Sequence, residues 1–419
     1  MLVLRRRLLH GLGAEALPGS FWLLWSGAFL NRLGNFVVPF LAIYLTEQRG
    51  LGAERVGLML SLYGVGGVGA AVVGGQLADR VGRRTTMVAA LVLSASAMLQ
   101  LATARGEAHL MLSVLGLGFF GELYRPAMQA MVADLVPEGA PRAAAFGALY
   151  WAANAGFALS TVVAGAMARR SFASLFVADA VTTLSFAVLT LWGLPETLPA
   201  REPGTNRERL SLAGLRRGLR ASVRSALSPL GDPALVTLLA GQMLLMMVVF
   251  QTSSTLPVAM RERGIDARTF GLLLSINGVL IVVLQPVLTR WLATWPRRTT
   301  LAGGALLTGV GYASHALAHA PLAWALGIVL WTLGEIVVAP RISALVADLA
   351  PAARRGSYQG MLSVSYGLAA FAGPLAGGWL LARGGSLVWV ACGLAGVLAA
   401  TLMSRRPGGR DGLALKEAG

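Results

Sequence analysis

Charged residues are scarce in this sequence for its length. They make up 13% of the 419 residues, whereas a soluble globular protein carries about 25%. Hydrophobic residues account for 56%. A chain of this length with so little charge cannot cover a water-facing surface, so lipid must cover much of it. The composition therefore excludes an ordinary soluble enzyme or soluble binding domain.

Cysteine and lysine are also nearly absent. The one cysteine, Cys392, lies in an apolar run, so the chain can form no intramolecular disulfide, and we expect no metal site built on this residue. Lys416 is the one lysine, so arginine carries nearly all of the net charge of +16. The arginines lie mainly in short loops between apolar runs. We interpret them as a topology signal and as contacts with anionic headgroups, and we expect no nucleic-acid partner.

Apolar runs of membrane-spanning length recur along the chain. A helix needs about 20 apolar residues to cross a ~30 Å hydrocarbon core, and its backbone groups must be satisfied within the segment. We therefore predict an all-α membrane protein with twelve transmembrane helices, called spans 1 to 12. Spans 1 to 6 fall near residues 21–46, 56–78, 85–104, 109–134, 143–168 and 172–193, and spans 7 to 12 fall near 234–259, 269–291, 299–319, 322–349, 357–382 and 386–404.

The two sets of six spans are repeats of one another. Three separated segments match at an offset of 214 residues, and Gly121-Glu122 matches Gly334-Glu335 at 213. Repeated matches at one offset predict two pseudo-symmetric six-helix halves, which is a known transporter plan. The matching segments are 56–64 and 270–278, 83–86 and 297–300, and 130–137 and 344–351.

The distribution of positive charge predicts the orientation. With both termini in the cytoplasm, the cytoplasmic tails and loops hold 23 of the 35 arginine and lysine residues. The positive-inside rule favours this arrangement, and we expect a location in a bacterial inner membrane. Residues 210–224 mix apolar residues with arginines, which is typical of an interfacial helix or of a solvated linker. The predicted divisions are an N-terminal half at 1–194, a cytoplasmic central loop at 195–231, a C-terminal half at 232–404 and a cytoplasmic tail at 405–419.

The segment between spans 2 and 3 carries the most specific motif. Residues 74–84 read Gly-Gly-Gln-Leu-Ala-Asp-Arg-Val-Gly-Arg-Arg. This segment resembles the signature loop of the major facilitator superfamily, G-x-L-a-D-r-x-G-R-[KR], at every key position. The resemblance extends over the whole chain, and it implies a secondary transporter whose loop forms a charge cluster in one conformation and breaks it in another. The residues that it implies for this switch are Gly75, Asp79, Arg80, Gly82, Arg83, Arg84 and, at the end of span 4, Asp134.

Two other segments depart from the family pattern. The second copy of the loop, at 286–298, keeps its arginines but contains no acid, which does not favour a switch there. Residues 367–378 in span 11 resemble the G-P-x-x-G-G motif of the family's exporters. That motif lies in span 5 in those proteins, whereas residues 160–165 of span 5 lack the Gly-Pro pair here.

Ionisable residues within the spans are candidate functional groups, because each costs at least about 2.5–3.5 kcal/mol on insertion scales. Glu335 in span 10 has no basic residue within one turn, so burial favours its protonated form. Its surroundings resemble the acidic site of proton-coupled multidrug antiporters, which implies a proton carrier. Glu122 and Arg125 share one face of span 4, so Glu122 is either a second carrier or the permanent partner of Arg125. Asp134 completes the set of proton-coupling candidates.

Polar and aromatic residues within the spans predict a substrate cavity. Aromatic walls with few polar points suit amphipathic compounds. Arg32 either binds an anionic group or pairs with an acid, and Asp179 in span 6 is a weaker candidate because its face is unknown. The predicted cavity residues are Arg32, Asn35, Tyr124, Arg125, Tyr150, Trp151, Asn154, Gln251, Asn277, Trp331 and Tyr366.

Few features suggest a cofactor. His315 and His319 lie four residues apart, the spacing of metal ligands on a helix, but no third ligand accompanies them. We therefore expect no metal and no cofactor. The sequence has no nucleotide-binding loop, so an ion gradient is the expected energy source.

These patterns predict a secondary transporter. We expect a proton-coupled exporter of lipophilic or cationic small molecules, acting as a monomer by alternating access, with its substrate, protons and the lipid bilayer as partners. An uptake symporter for a metabolite or peptide remains an alternative, because of the span 5 departure and Arg32. Outside transport, the alternatives are a non-transporting receptor and an intramembrane enzyme. The intact loop argues against the first, and the missing nucleophile constellation argues against the second.

Overall fold

The computed structural model describes residues 17–137, 140–198, 228–351 and 355–405. Within these ranges the chain is a series of α-helices joined by short turns, which confirms the predicted all-α membrane fold. The possible interfacial helix at 210–224 and most of the C-terminal tail lie outside the described residues.

The helices follow the order of the predicted spans. Spans 1 and 7 each consist of two helical segments, and the other ten spans are single helices. In the N-terminal half, span 1 comprises Gly19–Leu33 and Val37–Glu47, and spans 2 to 6 are Ala53–Val81, Arg83–Thr103, Glu107–Leu135, Ala140–Ala168 and Phe172–Gly193. In the C-terminal half, span 7 comprises Pro233–Val249 and Thr255–Glu262, and spans 8 to 12 are Ala267–Trp291, Arg297–Ala313, Pro321–Leu349, Arg355–Arg383 and Leu387–Ser404.

Ten of the described helices are long and apolar enough to cross a membrane by length and composition. Span 4 is not among them because it carries several charged residues, including Glu122 and Arg125. Span 9 is not among them because its α-helix has 17 residues, although a 3₁₀ turn at Ser314–Leu317 continues it. Both helices complete the twelve-span repeat, so the charge and the break in these spans have structural rather than topological consequences.

The two sides of the helix bundle need names. We call the side with the turn at Gly82, between spans 2 and 3, the motif face. We call the opposite side, with the turns at Gly50 and Gly106, the far face. All three glycines have positive φ angles, which other residues rarely adopt.

The halves share a hydrophobic core near the far face. Phe40 of span 1 meets Phe270 of span 8 with ring centroids 5.3 Å apart, and Leu256 of span 7 and Val114 of span 4 belong to the same core. Near the motif face, the described residues instead form two separate cores, one in each half. The halves are therefore joined at the far face and apart at the motif face.

Glycines allow the close approach of the two halves. A Cβ atom on Gly378 of span 11 would lie 2.9 Å from the Cα atom of Gly57 in span 2. A Cβ atom on Gly165 of span 5 would lie 2.8 Å from the carbonyl oxygen of Ala267 in span 8. Side chains at these positions would separate the helices, so the glycines hold the far face closed.

An ion pair crosses between the halves at the far face. Arg261 Nε at the end of span 7 lies 3.1 Å from Glu47 Oε1 at the end of span 1. The two residues are 214 positions apart, which is the offset of the sequence repeat. Equivalent positions of the two halves therefore meet here, and they carry opposite charges.

Gly64→Val tests the closure of the far face. A Cβ atom at Gly64 would lie 2.5 Å from the carbonyl oxygen of Ala370 and 2.8 Å from the backbone nitrogen of Phe371. Because backbone atoms cannot move aside easily, we expect overpacking to cost about 1–3 kcal/mol and to loosen the far face. Thiol labelling of Glu47→Cys in this background should become faster, and the one native cysteine is buried.

The matched control is Gly303→Val, because no atom lies within 4 Å of a Cβ at Gly303. Its labelling rate should equal that of the parent protein. Equal acceleration in both variants would show that the contact between spans 2 and 11 does not hold the far face closed.

Candidate functional site

The N-terminal half contains a compensated carboxyl group. Glu122 Oε2 of span 4 lies 2.8 Å from Arg125 Nε on the same face of the helix. The hydroxyl group of Tyr63 in span 2 donates a hydrogen bond to Glu122 Oε1 at 3.2 Å. An ion pair and a hydrogen bond both favour the charged carboxylate, so this half holds a fixed pair of opposite charges.

The C-terminal half repeats the arrangement without a cation. Asn277 Nδ2 of span 8 donates to Glu335 Oε2 of span 10 at 3.0 Å. The same amide lies 3.2 Å from the hydroxyl oxygen of Thr332. The hydrogen bond orients the carboxyl group, but a neutral amide does not fix its charge as an arginine does.

The repeat offset relates these two groups. Asn277 is 214 residues after Tyr63, and Glu335 is 213 residues after Glu122. Both halves therefore place a donor from their second helix on a carboxyl group of their fourth helix. The cation of Arg125 has no counterpart, because the residue 214 positions later is Ala339. The two carboxyl groups are equivalent in position but not in their compensation.

Tyrosines connect the two carboxyl groups across the space between the halves. Tyr366 of span 11 lies close enough to Glu122, Arg125 and Glu335 to interact electrostatically with all three. Tyr150 of span 5 interacts with Glu335. Tyr366 is 50% exposed and Tyr150 is 42% exposed, so both rings face an open space rather than a packed core. These contacts define the central site.

Two further predicted cavity residues lie beside the central site. Arg32 of span 1 interacts electrostatically with Tyr63 and Tyr366. Asn154 of span 5 is one turn from Tyr150 and donates to its carbonyl oxygen at 2.9 Å. The central site therefore combines charges of both signs with aromatic rings.

Asp179 supports the break in span 1. Its Oδ2 atom accepts hydrogen bonds from the backbone N–H groups of Phe36 at 3.2 Å and Val37 at 3.1 Å, and the residue is buried. These groups begin the second segment of span 1 and have no partner in the helix itself. Asn35 lies within this break. The position of Asp179 is therefore explained by helix capping.

The motif face carries the predicted switch residues. Arg83 Nε lies 3.1 Å from Asp134 Oδ2, and Arg83 Nη2 lies 3.2 Å from Asp79 Oδ1. The Thr197 hydroxyl group donates to Asp134 at 2.8 Å. Asp134 therefore lies in this motif cluster, at the end of span 4 and away from the central site. The remaining predicted members, Gly75, Arg80, Gly82 and Arg84, lie in or beside the turn between spans 2 and 3.

Glu196, which follows span 6, holds this turn in place. Its Oε1 atom accepts the backbone N–H of Arg83 at 2.7 Å, and Oε2 accepts that of Thr85 at 3.4 Å. Partial burial acts to raise the pKa of Glu196, but hydrogen bonds from the backbone N–H groups of Leu198 and Arg83, among others, outweigh it and hold the pKa below its ordinary value. The carboxylate therefore stays charged at the start of span 3, where the helix dipole favours a negative charge.

The second copy of the loop has an acidic partner after all. Arg297 forms an ion pair with Asp348, at the end of span 10. These residues are each 214 positions after Arg83 and Asp134, so the pair repeats in the C-terminal half. The acid that the loop itself lacks comes from a neighbouring span.

The family of the chain follows from comparison with known proteins. The sequence model of the Major Facilitator Superfamily matches residues 24–266 and 238–418. The chain belongs to the Major Facilitator Superfamily. This membership confirms the resemblance carried by residues 74–84, and it identifies the protein as a member of a transporter family.

Relatives in this superfamily have related roles. The chain is 27% identical to a Na(+), Li(+), K(+)/H(+) antiporter of Planococcus maritimus, over 83% of this chain and 86% of that protein. It is 27% identical to the multidrug resistance protein MdtH of Cronobacter sakazakii, over 90% of this chain and 92% of that protein. A crystal structure of the peptide transporter POT in complex with sulfate superimposes with a TM-score of 0.77 at 20% identity, covering 92% and 94% of the two chains. At that identity the last likeness concerns the fold alone.

Several predicted cavity residues of this superfamily member lie within its packed halves. Tyr124 packs edge-on against Phe186 in the core of the N-terminal half. Trp331 is 1% exposed. Gln251 bonds to the carbonyl oxygen of Gly373 at 2.9 Å and supports the break in span 7. The remaining residue, Trp151, is 46% exposed and stacks on Trp25 of span 1 at 6.5 Å.

Sequence reasoning missed Tyr63 and Thr332 as parts of the site. Tyr63 is identifiable from the sequence in hindsight, because the repeat offset aligns it with Asn277, which was predicted. Thr332 precedes Glu335 by three residues and so shares its helix face. His315, by contrast, is fully buried and His319 is exposed, so the structure does not bring these two histidines together.

Asp179→Ala tests the capping role. The substitution leaves two buried backbone N–H groups without an acceptor, and we expect the free energy of unfolding to fall by about 3 kcal/mol. Asp179→Asn keeps an acceptor oxygen and should lose less. Unfolding by sodium dodecyl sulfate titration measures both values.

Asp266→Ala is the matched control. Asp266 accepts the backbone N–H of Thr269 at 2.9 Å at the start of span 8, and the hydrogen bonds from Thr269 hold its pKa below the ordinary value. Water replaces this exposed cap, so the expected loss is about 1 kcal/mol. Equal losses for Asp179→Ala and Asp266→Ala would contradict the assignment.

Proposed function

We propose that this protein is a proton-coupled antiporter that exports lipophilic or cationic small molecules by alternating access. The observation that carries the proposal is the unequal compensation of Glu335 and Glu122. Glu122 has an arginine, whereas Glu335 has a neutral amide. The names of the two relatives, a cation/proton antiporter and a multidrug resistance protein, support the same activity.

Glu335 is the proton carrier in this mechanism. A carboxyl group in a protein interior favours its neutral form unless a positive charge is near. A bound cationic substrate supplies that charge, so binding favours release of the proton. When the substrate leaves, Glu335 takes up a proton again. Glu122 keeps its charge throughout because Arg125 accompanies it in every state.

The two protonation states favour different conformations of the halves. A ligand or proton shifts a conformational equilibrium when it interacts differently with the two states. Closure of the motif face would bring the halves together around the central site and change the surroundings of Glu335. Rocking of two rigid halves about a site at their interface is the general plan of such folds.

The motif cluster is the proposed conformational switch. In the present conformation, with the motif face open, the Asp79 side chain is 69% exposed, and its printed ion-pair partner is Arg83 of the same half. Closure of this face would bury the cluster against the other half. The ion pairs of Arg83 with Asp79 and Asp134 would then rearrange, which couples the loop to the state of the halves.

The motif face is the cytoplasmic face in this proposal, with both termini in the cytoplasm. The excess of arginine on that side supports this orientation. Bacterial relatives of the same length support an inner-membrane location. We propose a monomer, because each chain contains both halves of the central site.

An uptake symporter for a metabolite or peptide is the second candidate. Arg32 at the edge of the central site favours it, because a guanidinium group binds a carboxylate with two hydrogen bonds. In that case proton and substrate would move in the same direction.

Transport of ethidium into inside-out vesicles with an acidic interior tests the proposal. Wild-type protein should accumulate the dye when the gradient is imposed. Glu335→Gln should lose the gradient-driven component by about tenfold or more, because an amide cannot exchange a proton. It should still exchange labelled for unlabelled dye at equal concentrations.

Glu122→Gln is the matched control. It removes the partner of Arg125 and should lower the overall rate, but the dependence on pH should remain. Unchanged gradient-driven uptake in Glu335→Gln contradicts the proposal. Proton-driven movement in the opposite direction would favour the uptake symporter.

A further inference from the structure

A buried aromatic cluster lies in the C-terminal half near the far face. The His315 ring stacks on Trp324 at 4.9 Å and meets the edge of Trp389 at 5.4 Å. Tyr312 lies 5.9 Å from His315 and stacks on Trp331 at 5.2 Å. All five side chains are at most 1% exposed. We call them the His315 cluster.

Four nitrogen atoms in this cluster have no hydrogen-bond partner. They are both ring nitrogens of His315 and the indole nitrogens of Trp324 and Trp331. Buried polar groups in folded proteins almost always have a partner, and buried water supplies it where the protein does not. A phenylalanine would fill the same aromatic surroundings without this cost, so packing alone does not explain an imidazole here.

The cluster lies between the central site and the far face. Trp331 is one helical turn from Glu335 in span 10, and Tyr312 interacts electrostatically with Glu335. At the other end, His315 belongs to the 3₁₀ turn Ser314–Leu317, which leads directly into the far-face loop. The chain of polar atoms therefore runs from the carrier toward the side that is closed in this conformation.

Tyr312 adds a hydroxyl group to this path. It donates to the carbonyl oxygen of Val249 at 3.1 Å and lies against the hydroxyl group of Thr252. Both partners flank the break in span 7. The break therefore supplies polar groups beside the cluster at a depth where an intact helix would supply none.

We propose that bound water joins the His315 cluster into a proton relay between the far face and Glu335. The proposal rests on the proposed function, because it needs Glu335 as the carrier. It adds a route by which the carboxyl group exchanges protons with the far side through the C-terminal half, while the contacts between the halves stay closed.

The transfer step conserves charge and protons. Water on the far side gives a proton to the unprotonated ring nitrogen of His315, forming a new N–H bond. The other ring nitrogen loses its proton to the water on the Glu335 side, so the ring ends neutral in its other tautomer. That water passes a proton to the Glu335 carboxylate. Movement in the opposite direction reverses each step and restores the first tautomer.

The surroundings of the ring suit a neutral relay. The titratable groups around the cluster are the Tyr312 hydroxyl, the Glu335 carboxyl and the Cys392 thiol of span 12. Within the part of the chain that the structure describes, no charged side chain acts electrostatically on His315. A fixed charge would hold the ring in one protonation state, whereas a neutral apolar shell leaves both nitrogens available to water.

His315→Phe tests the relay, with ethidium as the transported probe. The purified variant is reconstituted in proteoliposomes, and two rates are measured: ethidium movement driven by a pH gradient, and exchange of labelled for unlabelled ethidium without a gradient. The relay predicts that the driven rate falls about tenfold or more and that the exchange rate stays at the wild-type value. His319→Phe on the exposed far-face loop is the matched control and should leave both rates unchanged.

Each other result has a defined meaning. An unchanged driven rate in His315→Phe overturns the relay, and so does an equal fall in both rates, since that shows a structural role. Failure of the proposed function looks different: the wild-type protein would show no gradient-driven movement, or Glu335→Gln would not affect it. Wild-type exchange activity in His315→Phe also shows that the variant is folded.

Discussion

A carboxyl group inside a membrane protein must be neutral or compensated, and the functional architecture of this protein depends on how each one meets that requirement. Asp179 accepts two backbone N–H groups at the break in span 1. Glu122 has the guanidinium group of Arg125. Glu335 has one neutral donor, Asn277. The first two arrangements stabilise a fixed charge, whereas the third leaves the charge free to change.

The internal repeat explains both the symmetry and its functional exception. Equivalent residues make equivalent contacts in the two halves, as in the pairs of Arg83 with Asp134 and of Arg297 with Asp348. At the far face, the equivalent residues Glu47 and Arg261 pair with each other. Divergence at one position, Arg125 against Ala339, is enough to make one carboxyl group a fixed ion and the other a candidate carrier.

Much of the fold could be predicted from the sequence because it depends on local properties. Apolar run length fixes the spans, and the offset of 214 fixes the division into halves. The pairing of Glu122 with Arg125 follows from their spacing of three residues on one helix. The motif at 74–84 identified the family, which the match over most of the chain confirms.

Side-chain partners on other helices could not be predicted in the same way. A membrane helix is apolar toward lipid and toward its neighbours, so its sequence does not show which face is inside. Tyr124 and Trp331 were therefore assigned to the cavity, although they lie in the cores of their halves. Asp348 was missed as the partner of Arg297 because the acid lies on a different span. The repeat is the signal that recovers such pairs.

The central claim is that Glu335 changes its protonation when substrate binds. Proton release on addition of tetraphenylphosphonium to purified protein, followed with a pH indicator in weakly buffered detergent solution, tests this claim most directly. The account predicts release from the wild-type protein and from Glu122→Gln, and none from Glu335→Gln although it still binds the cation. Release from Glu335→Gln equal to that of the wild-type protein would contradict the account.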